Sequence, residues 1–317
     1  MEIKNMPKVE LHLHLDGSIR FKTALEILGN IKCEDVMVSS DCHDLNEYLT
    51  KFDIPNKILQ TKEALTRCAY ELALDLKEEN VIYAEIRFAP MKHLLKGLTK
   101  EEVVESVLKG LKKVNIKTNL ILCLMRDDSF ENNLKVITLA LKYLNKGVCA
   151  IDLAGDEGLY PTSNYEELFK IAKDNNIPFT IHAGEARGAE SIWQAISFGA
   201  KRIGHGIKCI RDKKLIKELK EKNILLEICP TSNVQTKAVT SYNVHPVYEL
   251  YKEGLPISIN TDNRTVSNIT LTREYQKLLD NFPLKIEDLK EMNINAINHA
   301  FISKDEKEKL LKKLNEF

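Results

Sequence analysis

The chain of 317 residues is 44% hydrophobic and 29% charged, which excludes a disordered or fibrous protein and supplies enough apolar material for a large core. Lysine plus arginine and aspartate plus glutamate each total 46, so there is no electrostatic footprint for nucleic acid or an anionic membrane, and a small neutral substrate fits better. No run reaches the roughly 18 apolar residues of a membrane span, and MEIKNMPKVE has no apolar signal core, which points to a cytoplasmic protein with no evident obligatory protein partner.

The first element is a strand, VELHLHL (9–15), in which His12 and His14 share one face while the leucines take the other. Two imidazoles side by side are either hydrogen-bonded core histidines or half of a metal site. Residues 30–80 break the strand rhythm with helical pieces, HDLNEYLTKF and TKEALTRCAYELALDLKEEN, and read as an insertion after strand one, either a lid or wall at the active-site face or plain padding. Seven more strand candidates follow: VIYAEIRF (81–88), TNLILCLM (118–125), VCAIDL (148–153), IPFTIHA (177–183), KRIGHG (201–206), ILLEICP (224–230) and PISINTD (256–262). Helical patterns at 100–115, 165–176 and 212–223 lie between them, and the tail is helical with Ser303 as a cap. Eight strands alternating with helices imply parallel pairing and a single (β/α)8 barrel over 1–317, with extra C-terminal helices. An open doubly wound sheet is the alternative, but no G-x-G-x-x-G follows any strand. The seven cysteines lie mostly in apolar runs, without a C-x-x-C pair, and read as buried thiols of a reducing compartment.

A barrel carries its chemistry where strands end, and suspicious residues collect there. His12 and His14 end strand one, His182 and Glu185 end strand five, His205 ends strand six and Asp262 ends strand eight. Each alone has a plainer reading: His182 and His205 as core histidines, Asp262 as a cap, Asp156 and Glu157 as a solvated turn, Arg187 as surface charge. Four of the eight histidines at one rim are poorly explained by chance. His12, His14, His182 and Asp262 form a set that suits one zinc ion with a position open for water. Glu185 is free to move a proton, and His205 to orient the metal-bound hydroxide, polarise it or hold its proton.

In order, H-x-H-x-D-G, D-L-A-G-D-E, H-A-G-E, G-H-G and N-T-D resemble the adenosine deaminase family of zinc-dependent barrels, from about Val9 to NINA at 293–296. The resemblance implies that His12, His14, His182 and Asp262 bind one zinc per chain and that Glu185, His205 and Asp262 are catalytic. His14, Asp16, Gly155 and Asn263 would face a purine nucleoside: Asp16 would hold the ribose, the Gly155 N–H would donate to N3 and Glu185 would protonate N1. His205 and Asp262 would orient the hydroxide that attacks C6, converting adenosine, and 2′-deoxyadenosine, to an inosine and ammonia. One departure is NTDNR, where the family often has a second aspartate that donates to purine N7; Asn263 carries donor hydrogens without protonation. The rivals are a deaminase of adenine, AMP or a modified adenine nucleoside, and a non-catalytic purine-binding barrel. Asp16 favours a neutral sugar over a phosphate.

Overall fold

The computed structural model describes residues 3–39 and 41–317; Met1, Glu2 and Ser40 lie outside the described residues. The strands are β1 Lys8–His14, β2 Val81–Phe88, β3 Lys117–Met125, β4 Val148–Ala154, β5 Thr180–Ala183, β6 Arg202–His205, β7 Leu225–Ile228 and β8 Ile257–Ile259. All pair in parallel with their sequence neighbours, β1 to β4 in one run and β5 to β8 in the other. Two bridges close the ring: Ile151 with Phe179 joins the two runs, and Leu13 with Asp262 joins the last strand to the first. This is the expected (β/α)8 barrel.

Two expected strands are shorter than their apolar runs. The run at 177–183 becomes a strand only at Thr180, and the run at 256–262 stops at Ile259. In the second case a side chain replaces the backbone ladder. Asn260 Oδ1 accepts the N–H groups of Leu11 and His12 at 2.8 and 3.1 Å, and Glu10 Oε1 accepts Thr261 N–H at 2.7 Å. The β8 to β1 seam is thus laced partly by side chains, and the chain past Ile259 is free to turn its next residues into the barrel mouth.

The helical material after β1 divides at about Lys62. Helix Lys62–Glu78, capped by Thr61, packs Leu65, Leu72 and Leu76 into the core and lies against helix Lys100–Leu111. Each such leucine contributes about 1.5–3 kcal/mol through burial. The two helices approach so closely at Gly110 that a Cβ there would stand 2.3 Å from the Thr66 carbonyl oxygen. This helix is the ordinary β1-to-β2 crossover, so the insertion proper ends before it rather than at residue 80. What remains is short helices, Phe21–Leu28, Cys33–Val36, Leu45–Leu49 and Asp53–Ile58. The tail forms helices Ile286–His299 and Lys304–Asn315, the second capped by Ser303 as expected.

The barrel interior holds charge where apolar layers are usual. Glu85, Arg87, Arg202 and Glu227 are fully buried. Arg202 pairs with Glu85 and Glu227 at 2.5 and 2.6 Å, and Arg87 pairs with Asp152 and Glu227 at 2.9 and 2.8 Å. Buried charges persist only when answered in this way. The pairs stack directly beneath the histidines of β1 and β5.

Candidate metal centre

The closing seam builds the centre. Asp262 N–H donates to the His12 carbonyl at 3.0 Å and His14 N–H donates to the Asp262 carbonyl at 2.7 Å, so Asp262 sits opposite the H-x-H pair. Asp262 does so at φ 61° and His205 at φ 62°, left-handed conformations uncommon outside glycine.

Asp262 Oδ1 lies 3.4 Å from both His12 Nε2 and His14 Nε2, and His14 Nε2 lies 3.4 Å from His182 Nε2. Four ligands about 2.1 Å from a tetrahedral ion stand about 3.4 Å apart. His12 Nε2 is buried with no hydrogen-bond partner, as a ligand atom facing a cation should be. A set of His12, His182, His205 and Asp262 also places donor atoms within 4.8 Å of one another. For His14 as the third imidazole speak its Nε2 contacts of 3.4 Å to both Asp262 Oδ1 and His182 Nε2.

The outer nitrogens are fixed by buried acids. His12 Nδ1 stands 2.8 Å from Glu227 Oε2, and His182 Nδ1 stands 2.9 Å from Asp152 Oδ2. Carboxylates there keep Nδ1 protonated and turn the Nε2 lone pairs inward. Ser232 Oγ donates to Asp262 Oδ2 at 2.6 Å, leaving Oδ1 for the histidines.

Glu185 is 5% exposed, and burial, with the charge of Asp262, raises its carboxyl to about 7. Oε1 accepts from Thr236 Oγ1 at 2.9 Å and Asn233 Nδ2 at 3.0 Å, while Oε2 is 3.3 Å from His205 Nε2. A carboxyl poised near neutrality is suited to proton transfer.

A cavity of about 440 Å³ opens beside this cluster, lined by His14, Asp16 and Gly155, with Asn46, Leu49, Thr50, Phe52, Asp53 and Asn56 supplying a wall. These six residues of the insertion thus line the cavity beside the cluster. Asp16 is raised to about 6 by burial, and its Oδ1, 3.9 Å from His14 Nδ1, has no hydrogen-bond partner. A second cavity of about 380 Å³ reaches Glu185 from the other side and shares Asn46, Asp156 and Leu159 with the first.

Three expectations need correction or refinement. Glu157 is no solvated turn residue: it is 2% exposed and its carboxylate accepts the N–H groups of Gly184, Glu185, Ala186 and Arg187 at 2.6–3.1 Å. Burial would raise that carboxyl, but these donors, Ser191 and Arg126 hold it below its usual value. Arg187 is half-buried and donates to the carbonyls of Glu157 and Gly158, each at 2.8 Å, so it is more than surface charge. Asn263 has its Nδ2 engaged, donating to the Tyr48 hydroxyl at 3.0 Å, while its Oδ1 has no partner.

Sequence reasoning missed Glu227, Asn233, His245 and Tyr48. The first carried a signal, a lone acid inside the apolar run ILLEICP. The others lie in loops or short helices, where polar residues are unremarkable.

The family model described as adenosine deaminase matches residues 7–317. The adenosine deaminase of Clostridium botulinum (strain 657 / Type Ba4) is 45% identical over 328 residues, covering 98% of this chain and 99% of that protein. That of Clostridium perfringens (strain SM101 / Type A) is 43% identical over 326 residues, covering 98% of each. Among solved structures, the adenine deaminase of Arthrobacter aurescens matches with a TM-score of 0.91 at 25% identity over 98% of each chain. The N6-mAMP deaminase of Arabidopsis matches with a TM-score of 0.90 at 30% identity over 99% of each.

Proposed function

Because the chain belongs to the adenosine deaminase family, we propose that it hydrolyses the 6-amino group of adenosine and 2′-deoxyadenosine, giving the inosine product and ammonia. The observation that carries the reading is the 3.4 Å spacing of Asp262 Oδ1 from His12 and His14 Nε2, and of His14 Nε2 from His182 Nε2, beside a buried, near-neutral Glu185. These four side chains hold one zinc ion per chain. Bound there, zinc supplies Lewis acidity and water activated near neutral pH.

The rest is the work of the chain's own groups. Protonated Glu185 donates to purine N1 as electron density moves there from C6, so negative charge does not build up on the ring. His205 turns Nε2 toward the reacting centre. Asp16 takes the ribose hydroxyls, Gly155 offers its N–H to N3, and Asn263 lies on the N7 side. Asp16, Asp53, Asp127 and Asp156 line the cavity, and its lysine, Lys92, is held by Asp127 at 2.7 Å. A 5′-phosphate would meet carboxylates without a free cation, which supports a nucleoside over a nucleotide. A cytoplasmic enzyme is part of the proposal, supported by thiols that are free and mostly buried.

Purified protein offered adenosine, 2′-deoxyadenosine, adenine and AMP should release ammonia fastest from the nucleosides, with kcat/KM for adenosine at least about tenfold above AMP. Elemental analysis should find about one zinc per active chain. Preference for AMP or adenine, or full activity after complete metal removal, overturns the reading.

A further inference from the structure

What His205 can do for the reaction depends on which of its nitrogens holds the proton, because an Nε2–H orients a hydroxide as a donor and a bare Nε2 takes a proton, and neutral imidazole can carry its proton on either nitrogen. The structure contains a chain of hydrogen bonds that decides between them. It starts at a backbone group, whose polarity cannot reverse. Val247 N–H donates to His245 Nδ1 at 3.1 Å. Burial lowers His245 to about 3, so this imidazole is neutral and its one proton is on Nε2. That atom stands 3.2 Å from Asn233 Oδ1 and donates to it.

The contact fixes the amide of Asn233, which is fully buried. Its oxygen faces His245, so its two N–H groups face the other way. One goes to Glu185 Oε1 and one to His205 Nδ1, both at 3.0 Å. A nitrogen that accepts from an amide N–H has no proton of its own. The proton of neutral His205 is then on Nε2, the atom 3.3 Å from Glu185 Oε2. An Nε2–H has no lone pair for a metal, which agrees with His14 as the third imidazole ligand.

We propose that His245, acting through Asn233, is a positioning device that holds the proton of neutral His205 on Nε2 and aims it at the reacting centre. Asn233 lies in the short helix Pro230–Gln235 after β7 and His245 in the loop before helix Val247–Lys252. Two segments that touch no substrate atom thereby set the protonation geometry of one that does. The proposal rests on the deaminase reading for its catalytic consequence, but the position of the proton is measurable without substrate.

The test is nitrogen-15 NMR of histidine-labelled, zinc-loaded protein, which separates the two tautomers directly. The wild type should show His205 protonated on Nε2. In Asn233→Asp the new carboxylate can only accept, so the His205 proton should move to Nδ1 and kcat should fall at least about 100-fold, with KM within about threefold. His245→Gln keeps a donor toward Asn233 and should retain kcat within about tenfold. His245→Phe removes that donor, frees the amide to rotate and should cost more than His245→Gln. A wild-type His205 protonated on Nδ1, or the same tautomer in wild type and Asn233→Asp, overturns the proposal whatever the activity. If Asn233→Asp does not fold, the wild-type spectrum and the two His245 variants still decide. Loss of activity on every nucleoside with the expected tautomer intact would count against the deaminase reading, not against this device.

Discussion

Nδ1 of His12 lies 2.8 Å from Oε2 of Glu227, with both side chains fully buried. The same carboxylate oxygen is 2.8 Å from Arg87 Nη2, whose other nitrogen, Nη1, reaches the acid behind His182, Asp152, at 2.9 Å. One guanidinium thus braces the backs of two proposed ligands from opposite sides. Glu227→Gln keeps the shape but offers an N–H where an acceptor is required. Zinc affinity, measured by competition with a chelator, should fall about 10- to 100-fold. An unchanged affinity would show that the histidines are oriented by packing alone.

Glu157 governs the loop that carries Glu185. Three N–H groups, from Glu185, Ala186 and Arg187, converge on its Oε2. In Glu157→Gln that atom or its neighbour becomes a donor facing donors. Leaving such buried groups unsatisfied costs about 1–3 kcal/mol each, so we expect at least about 2 kcal/mol of lost stability. Amide exchange should quicken at 184–187 before it does in the barrel strands, and kcat should fall with it. Uniform loosening across the barrel would assign Glu157 to general packing.

Glu185→Gln tests the proton donor itself. The amide fits the same partners but cannot deliver a full proton, so kcat should drop at least about 100-fold while zinc content stays unchanged. The pH profile carries a second sign. Burial holds the carboxyl near 7 and only the protonated form donates, so wild-type kcat/KM should decline as pH rises past that value. The residual activity of Glu185→Gln should lack that decline. A variant within about threefold of wild type would remove Glu185 from the chemistry.

What the sequence disclosed and what it concealed follow from the range of the interactions. The barrel was legible because each strand is a local run of apolar and β-branched residues, and His12 and His14 share a face by the two-residue period of a strand. Asp262 was legible as a strand-end carboxylate. It takes its place through the Asn260 side chain, 249 positions from Leu11, and no local pattern announces that. Glu157 looked like a turn acid because its neighbours are glycines; only the returning β5 loop buries it. Tyr48 read as one aromatic of a helical insertion, yet its hydroxyl lies 2.7 Å from Ser267 and 3.0 Å from Asn263.

That last contact refines the role expected of Asn263. Its Nδ2 has two hydrogens; one is given to Tyr48, whose hydroxyl in turn donates to Ser267, and we propose that the other serves purine N7. Tyr48 therefore sets which end of the amide faces the base. Gly17 makes room for it: a Cβ at Gly17 would stand 1.8 Å from Asn263 Oδ1. Asn263→Ala should lower kcat/KM for adenosine about two- to tenfold, the worth of one neutral hydrogen bond, and lower it less for the 7-deaza analogue, which has no N7 acceptor. Tyr48→Phe frees the amide to turn its oxygen toward N7 and should show the same substrate dependence. Because both act through one bond, the double variant should lose less than the product of the single losses. Gly17→Ala should displace the amide and reproduce the pattern. Equal losses on adenosine and its 7-deaza analogue in all these variants would place Asn263 away from N7, as a strut between the insertion and the barrel mouth.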